Sequence, residues 1–225
     1  MSQDAPFLRL DWIISNLDML AQRTAEHAVL TAIAMVGGIL VAAPITLAIY
    51  RRRRWIGPTL GATGILYAIP SLAAFAVLIP ITGIGLLTAE IALVSYTLLI
   101  LIRNGLAGLD GVAPDVLEAA AGLGHSSAQR LWRVQLPLAT PVIVAGIRVA
   151  TVTTIGLVAV TALIGQGGLG FVIITLGINR FFPTAIFVGV ALSVALAVLA
   201  DRGLVLVERR LTPWAQARAA AGSDG

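Results

Sequence analysis

Five long apolar runs, each about the length of a bilayer crossing, alternate along the chain with short polar or basic segments. Ala28 to Tyr50 is the first, free of charge and closed by Arg51-Arg52-Arg53-Arg54. At about 1.5 Å rise per residue it suits one crossing of a hydrocarbon core about 30 Å thick. Gly57 to Ile79 predicts a second span with Pro70 inside it, and Leu86 to Ile102 a third, closed by Arg103-Asn104. The uncharged Pro80-Ile81-Thr82-Gly83 link between them reads as an outer turn. Leu138 to Leu163 predicts a fourth span, and Thr184 to Val207 a fifth, interrupted by Asp201-Arg202 near its inner end. Apolar Phe171 to Ile178 is too short to cross and is expected at the outer interface or dipping into the protein.

Ahead of the first span, Phe7, Leu10, Ile14, Leu17 and Leu20 recur at helical spacing, so residues 1–27 predict an amphipathic segment on the outer surface. Asp4, Asp11 and Asp18 break any signal-peptide core. The Ala-, Gly- and Ser-rich tail, 211–225, is expected to be disordered on the inner side.

Between the third and fourth spans, residues 103–137 turn small, polar and basic. Pro114 suits a first helical position, with Asp115 and Glu118 near the positive end of the helix dipole. Gly122 or Gly124 is placed to end that helix in a left-handed cap. Ser126 with Gln129 predicts a capping box for a second helix, which Pro137 should end. The surface around Ala119, Ala120, Ala121 and Gly122 has almost no side-chain relief, which suits close docking in a partner's groove. A DNA-reading helix would want long polar side chains, and the second helix carries Leu131, Trp132 and Val134 instead.

Composition agrees with a membrane protein. The chain of 225 residues is 58% hydrophobic and 12% charged, with mean hydropathy +0.96; soluble domains carry about 25% charge. Cysteine is absent, which excludes disulfide, zinc-thiolate and thiol-nucleophile chemistry. All 15 basic residues are Arg, and their placement sets a direction. With the four-arginine end inside, Arg51 to Arg54, Arg103, Arg130, Arg133, Arg202, Arg209, Arg210 and Arg218 lie inside, while Arg9, Arg23 and Arg180 lie outside. Arg148 is left within the fourth span. The reading is an all-α integral membrane protein with five transmembrane helices, N-terminus outside and C-terminus inside.

Two motifs fail as nucleotide sites. Gly165-Gln166-Gly167-Gly168-Leu169-Gly170 spells G-x-G-x-x-G, but a span precedes it and the next acid, Asp201, lies in another. A turn at the outer end of the fourth span is the expected role, with Gly165, Gly167, Gly168 and Gly170 as candidates for an outer gate. A Walker A loop needs a Lys, and the chain has none. Any driving ATP must be hydrolysed by another polypeptide.

Glu118-Ala119-Ala120, Gly124 and Gln135-Leu136-Pro137 resemble the EAA loop of ABC importer permeases, in which a short coupling helix docks on the ATP-hydrolysing subunit. Ile69-Pro70-Ser71-Leu72-Ala73, the stretch from Leu78 to Gly85, Ile102-Arg103-Asn104 and the stretch from Ala162 to Gly170 resemble the osmoprotectant branch, importers of glycine betaine, choline, carnitine or proline betaine. The resemblance implies a type I permease domain over 28–210 that moves its solute by alternating access in the bacterial cytoplasmic membrane. It implies as partners a second permease copy or paralogue, ABC ATPase subunits and an extracytoplasmic solute-binding protein. It implies no cofactor in this chain, with ATP-Mg on the ATPase subunits. The coupling residues would be Glu118, Ala119, Ala120, Ala121, Gly122, Gly124, Leu136 and Pro137. Tyr67, Pro70 and Ser71 are the candidates for the translocation path, since Pro70 can bend the second span and free backbone carbonyls.

Alternatives remain at this point. Permeases for amino acids, methionine or phosphonate share the EAA loop. A membrane-embedded enzyme would want clustered acids or His at mid-membrane, and only Glu90 and Arg148 are there, neither with an obvious partner. Glu90 reads as an interfacial carboxylate reaching water, with attraction of a cation as the second reading. A passive channel would not need a docking loop.

Overall fold

The computed structural model describes residues 8–213, and among them every regular element is helical. A short helix, α1 (Leu10–Ser15), leads through a turn at Asn16 into α2 (Leu17–Arg51). A single turn at Arg53–Trp55 opens α3 (Ile56–Ala68), followed by α4 (Ser71–Thr82) and α5 (Leu86–Asp110). The polar region holds α6 (Pro114–Gly122) and α7 (Ser127–Arg130). The chain then winds through a wide turn, Leu131–Gln135, into α8 (Leu136–Val158), tightens over Ala159–Ile164, and re-enters as a wide helix, Phe171–Ile178. The last helix is α9 (Pro183–Leu211).

Leu17–Arg51, Leu86–Asp110, Ser127–Ile164 and Pro183–Leu211 are long and apolar enough to cross a membrane. The bent pair Arg53–Ala68 and Ser71–Thr82 makes a fifth crossing if taken as one span. Their outward faces carry large apolar side chains such as Leu40, Ile65, Val77 and Leu199, as lipid requires.

Helix α5 is the centre of the bundle, packed by α2, α3, α4 and α8. The half of the core towards the C-terminal end of α2 joins Met35, Ala42, Leu101, Ile102 and Ala150, and the other half joins Leu30, Ala34, Leu93 and Val158. Small residues bring the backbones together, as membrane packing favours. A side chain at Gly38 would overlap Thr97, and one at Gly146 would overlap Asn104.

Four features differ from the sequence reading, and the bend expected at Pro70 is a full break. The N-terminal segment is not a separate helix over 1–27: from Leu17 it is continuous with the first span, because nothing between Leu17 and Ala28 breaks a helix. Leu10, Ile14 and Leu17 face outward, while Trp12, Ile13 and Leu20 pack on Val172, Phe182 and Ala185. Phe7 and the tail from 214 onward lie outside the described residues. The second span is broken by 95°, since the residue before a proline is steered out of the helical region and Ile69 and Pro70 are both extended, with ψ 127° and 134°.

The third span does not close at Arg103-Asn104. Asn104 Nδ2 donates to the Ile100 carbonyl at 2.8 Å, and α5 runs on to Asp110, with Gly108 close against Ala139 of α8. Pro137 ends no helix either. The wide turn before it sends the Leu136 N–H to Leu131 O, five residues back, and Pro137 enters α8 in its first turn, where a missing N–H costs little. Asp201-Arg202 leaves α9 uninterrupted, because Asp201 is paired with Arg148.

Candidate functional site

The polar region folds as helix, turn, helix. Pro114 opens α6 with Asp115 in the first turn. At its far end the Gly124 N–H donates to Ala121 O at 2.9 Å and the His125 N–H to Ala120 O at 3.1 Å. With Gly124 at φ +84°, this is a complete Schellman cap. The expected capping box of α7 is present as well: Gln129 N–H donates to Ser126 Oγ at 3.3 Å, and Ser126 N–H to Gln129 Oε1 at 2.8 Å.

The capped pair is held to the bundle on one side only. Ala120 is the single buried residue of α6, whereas Glu118, Ala119, Ala121, Gly122 and Gly124 are exposed. Leu123 beside them is 80% exposed, and Trp132 is also largely uncovered. A side chain built at Gly122 would meet nothing of this chain within 4 Å. Gly122 is the last residue of α6, and among the described residues no contact calls for a glycine there. Beneath the loop, Leu131 packs with Leu109 and Ala139, and buried Gln135 donates to Tyr50 Oη at 2.7 Å, tying the wide turn to the C-terminal end of α2. Arg53 closes the same end by an ion pair to Asp110 at 2.6 Å. Leu136 and Pro137 lie half-buried in the first turn of α8, behind the exposed face.

The path candidates come together at the α3–α4 break. Tyr67 packs edge-on against Tyr96, with ring centroids 6.0 Å apart, and Tyr96 Oη donates to the Ile69 carbonyl. The extended backbone at the break leaves the Ile69 carbonyl outside both helices, and Tyr96 takes it, while the Leu66 carbonyl accepts the Ile69 N–H at 3.3 Å. Tyr67 and Pro70 are exposed and Ser71 is half-buried, so the three share an accessible rim.

The G-x-G-x-x-G turn is built against α2 rather than around a nucleotide. Gly168, at φ +74°, donates its N–H to Glu26 Oε2 at 3.0 Å, and Leu169 N–H donates to His27 Nδ1 at 3.2 Å. A side chain at Gly167 would overlap Glu26, one at Gly168 would crowd His27 at 3.2 Å, and one at Gly170 would overlap the Ala159 carbonyl. Phe171–Ile178 then dips into the protein, with Val172 fully buried.

Sequence reasoning missed Glu26 and His27, which it placed in a bland outer segment. It also gave Arg148 no partner, whereas Arg148 binds Asp201 through two nitrogens, with Glu208 3.6 Å away. Glu90 does not reach water: it is buried, and neither carboxyl oxygen has a hydrogen-bond partner. Among the described residues no group of three His, Cys, Asp or Glu side chains could hold a metal.

A helical bundle with a proline-broken span and a capped, one-sided loop between its long crossings is the architecture of a polytopic membrane protein. The same fold occurs in an inward-facing structure of the MetNI methionine ABC transporter, with a TM-score of 0.79 and 22% identity, covering 87% of this chain and 97% of that one. Residues 26–213 match the binding-protein-dependent transport system inner membrane component family, and the chain belongs to it. It is 37% identical over 204 residues to the choline transport system permease protein OpuBB of Bacillus subtilis (strain 168), covering 91% of this chain and 94% of that protein. It is 36% identical over 209 residues to the osmoprotectant import permease protein OsmW of Salmonella typhimurium, covering 91% and 97%.

Proposed function

We propose that this permease subunit admits a small osmoprotectant, of the choline, carnitine or glycine betaine type, powered by separate ATPase subunits. The substrate class rests on the activities of relatives such as the choline permease OpuBB and the glycine betaine/carnitine/choline permease OpuCB of Bacillus subtilis. The coupling reading rests on one observation above all: a capped helix presents Ala119, Ala121 and Gly122 with no internal reason for that smoothness. In this reading α6 seats in a groove of an ATPase subunit on the cytoplasmic side, with N-terminus outside and C-terminus inside. A second permease copy or paralogue completes the passage, and an extracytoplasmic binding protein delivers the solute. Moving a two-state gate from 1:99 to 99:1 needs about 5.5 kcal/mol of differential binding, which a loose loop would dissipate.

Tyr67, Pro70 and Ser71 line the passage in this reading. A quaternary ammonium favours an aromatic cage, and the Tyr67–Tyr96 pair offers a single accessible ring. Selectivity therefore resides mainly in the binding protein. The test is uptake of labelled glycine betaine and choline by the complex reconstituted with its ATPase and binding protein. ATP-dependent uptake of either supports the reading. Uptake of methionine alone refutes the substrate class and leaves the importer; no ATP-dependent uptake of any solute refutes both.

A further inference from the structure

The grip of α2 on the turn at the outer end of α8 joins three parts of the chain through one side chain. His27 is fully buried. Its Nε2 lies 2.9 Å from the Ile155 carbonyl, in the last turn of α8, and its Nδ1 accepts the Leu169 N–H. A carbonyl can only accept and an amide can only donate, so the ring is held as the neutral Nε2–H tautomer, with both nitrogens satisfied.

Two neighbours reinforce it. Glu26 Oε2 accepts the Gly168 N–H and a bond from Arg23 Nη1 at 2.8 Å, while Gln22 donates to Glu26 Oε1 at 3.2 Å. The Arg23 guanidinium lies 4.2 Å from the centroid of the Phe171 ring, at the start of the re-entrant helix. One turn and a half of α2 thus holds α8, the turn and the re-entrant helix together. The glycines let the backbone approach near enough for this.

We propose that His27, with Glu26 and Arg23, is a positioning residue for transport: it fixes the outer end of the Ser127–Ile164 rod to α2. A displacement entering at the inner loop then reaches the outer face of the bundle instead of being lost in a slack turn. The inference rests on the coupling reading given above and adds the place where the motion is delivered.

The experiment measures solute moved per ATP hydrolysed by the reconstituted importer, with loaded binding protein present. His27→Phe keeps a flat ring, somewhat larger, and loses both bonds. His27→Asn keeps an acceptor where Nδ1 stands, and His27→Gln keeps a donor at the reach of Nε2. The Phe variant is expected to lower the transport-to-hydrolysis ratio about tenfold, as loss of a coupling free energy does. The Asn and Gln variants should each recover part of it. An unchanged ratio in the Phe variant overturns the proposal. So does a ratio in the Asn and Gln variants no better than that of Phe, because a purely structural ring would not distinguish the two arms. If Phe prevents assembly, Asn and Gln decide against the unmodified protein: full ratios in both overturn the proposal. Failure of the unmodified complex to couple uptake to ATP would count against the functional reading itself, not against this joint.

Discussion

Arg148 of α8 binds Asp201 of α9 by a two-pronged ion pair, Nε to Oδ1 at 2.8 Å and Nη2 to Oδ2 at 3.1 Å. Both side chains are about one-third exposed, at 31% and 30%, within helices otherwise apolar enough to cross a membrane. Each charge makes the other tolerable there, as membrane-embedded ions require. Arg148→Leu strands Asp201 and takes the cation from Glu208, whereas Asp201→Leu leaves Arg148 only its longer contact to Glu208 at 3.6 Å. Either change should lower the melting temperature of the detergent-solubilised protein by several degrees. The double variant should recover much of the loss, and a purely additive pair of shifts would show that the two charges are not coupled.

Gly122 separates folding from docking. Gly122→Ala should leave the isolated subunit unchanged or more stable by about 0.5–1 kcal/mol, since alanine suits a helix better. Gly122→Trp should also fold, because nothing in the chain opposes it, yet abolish ATPase stimulation by loaded binding protein. Glu118→Arg, exposed midway along α6, should do the same by reversing the charge on the surface proposed to dock. Normal stimulation in Gly122→Trp would remove α6 as the docking element.

Topology is testable because the chain lacks cysteine. Ser126→Cys, exposed beside the loop, should react with an impermeant thiol reagent only from the cytoplasm. Asn179→Cys, exposed at the other end, should react only from outside. Equal labelling of both in intact cells would contradict the orientation.

Glu90 should tolerate neutralisation. An ionised carboxylate with no donor in a buried site is costly, so Glu90→Gln should retain assembly and melt no lower than the unmodified protein. A melting temperature several degrees lower would reveal a charge on Glu90 that the bundle relies on.

Much of this architecture was legible in the sequence because hydrophobic length and arginine placement are local signals. The caps of α6 and α7 were legible for the same reason, as Pro114, Gly124, Ser126 and Gln129 act within one or two turns. The errors arose where distant residues decide. Nothing local shows that Glu26 and His27 face a turn 142 residues away, or that Arg148 finds Asp201. The G-x-G-x-x-G pattern was read as a turn, but the reason for its glycines lay in α2. Pro137 misled because a proline stops an ordinary helix, and the register shift at Leu131–Gln135 removes the bond it would have broken.

That wide turn also sets an angle. It carries five residues where a regular winding needs about four, and each residue of an α-helix turns the chain by about 100°. The extra residue therefore fixes the compass bearing at which the smooth face of α6 leaves the bundle. Deleting one residue from Leu131–Gln135 would keep every side chain of α6 and every cap, yet aim that face in a different direction from the bundle. A subunit so altered would be sound in each half and mute between them, like a key cut correctly and mounted askew on its shaft.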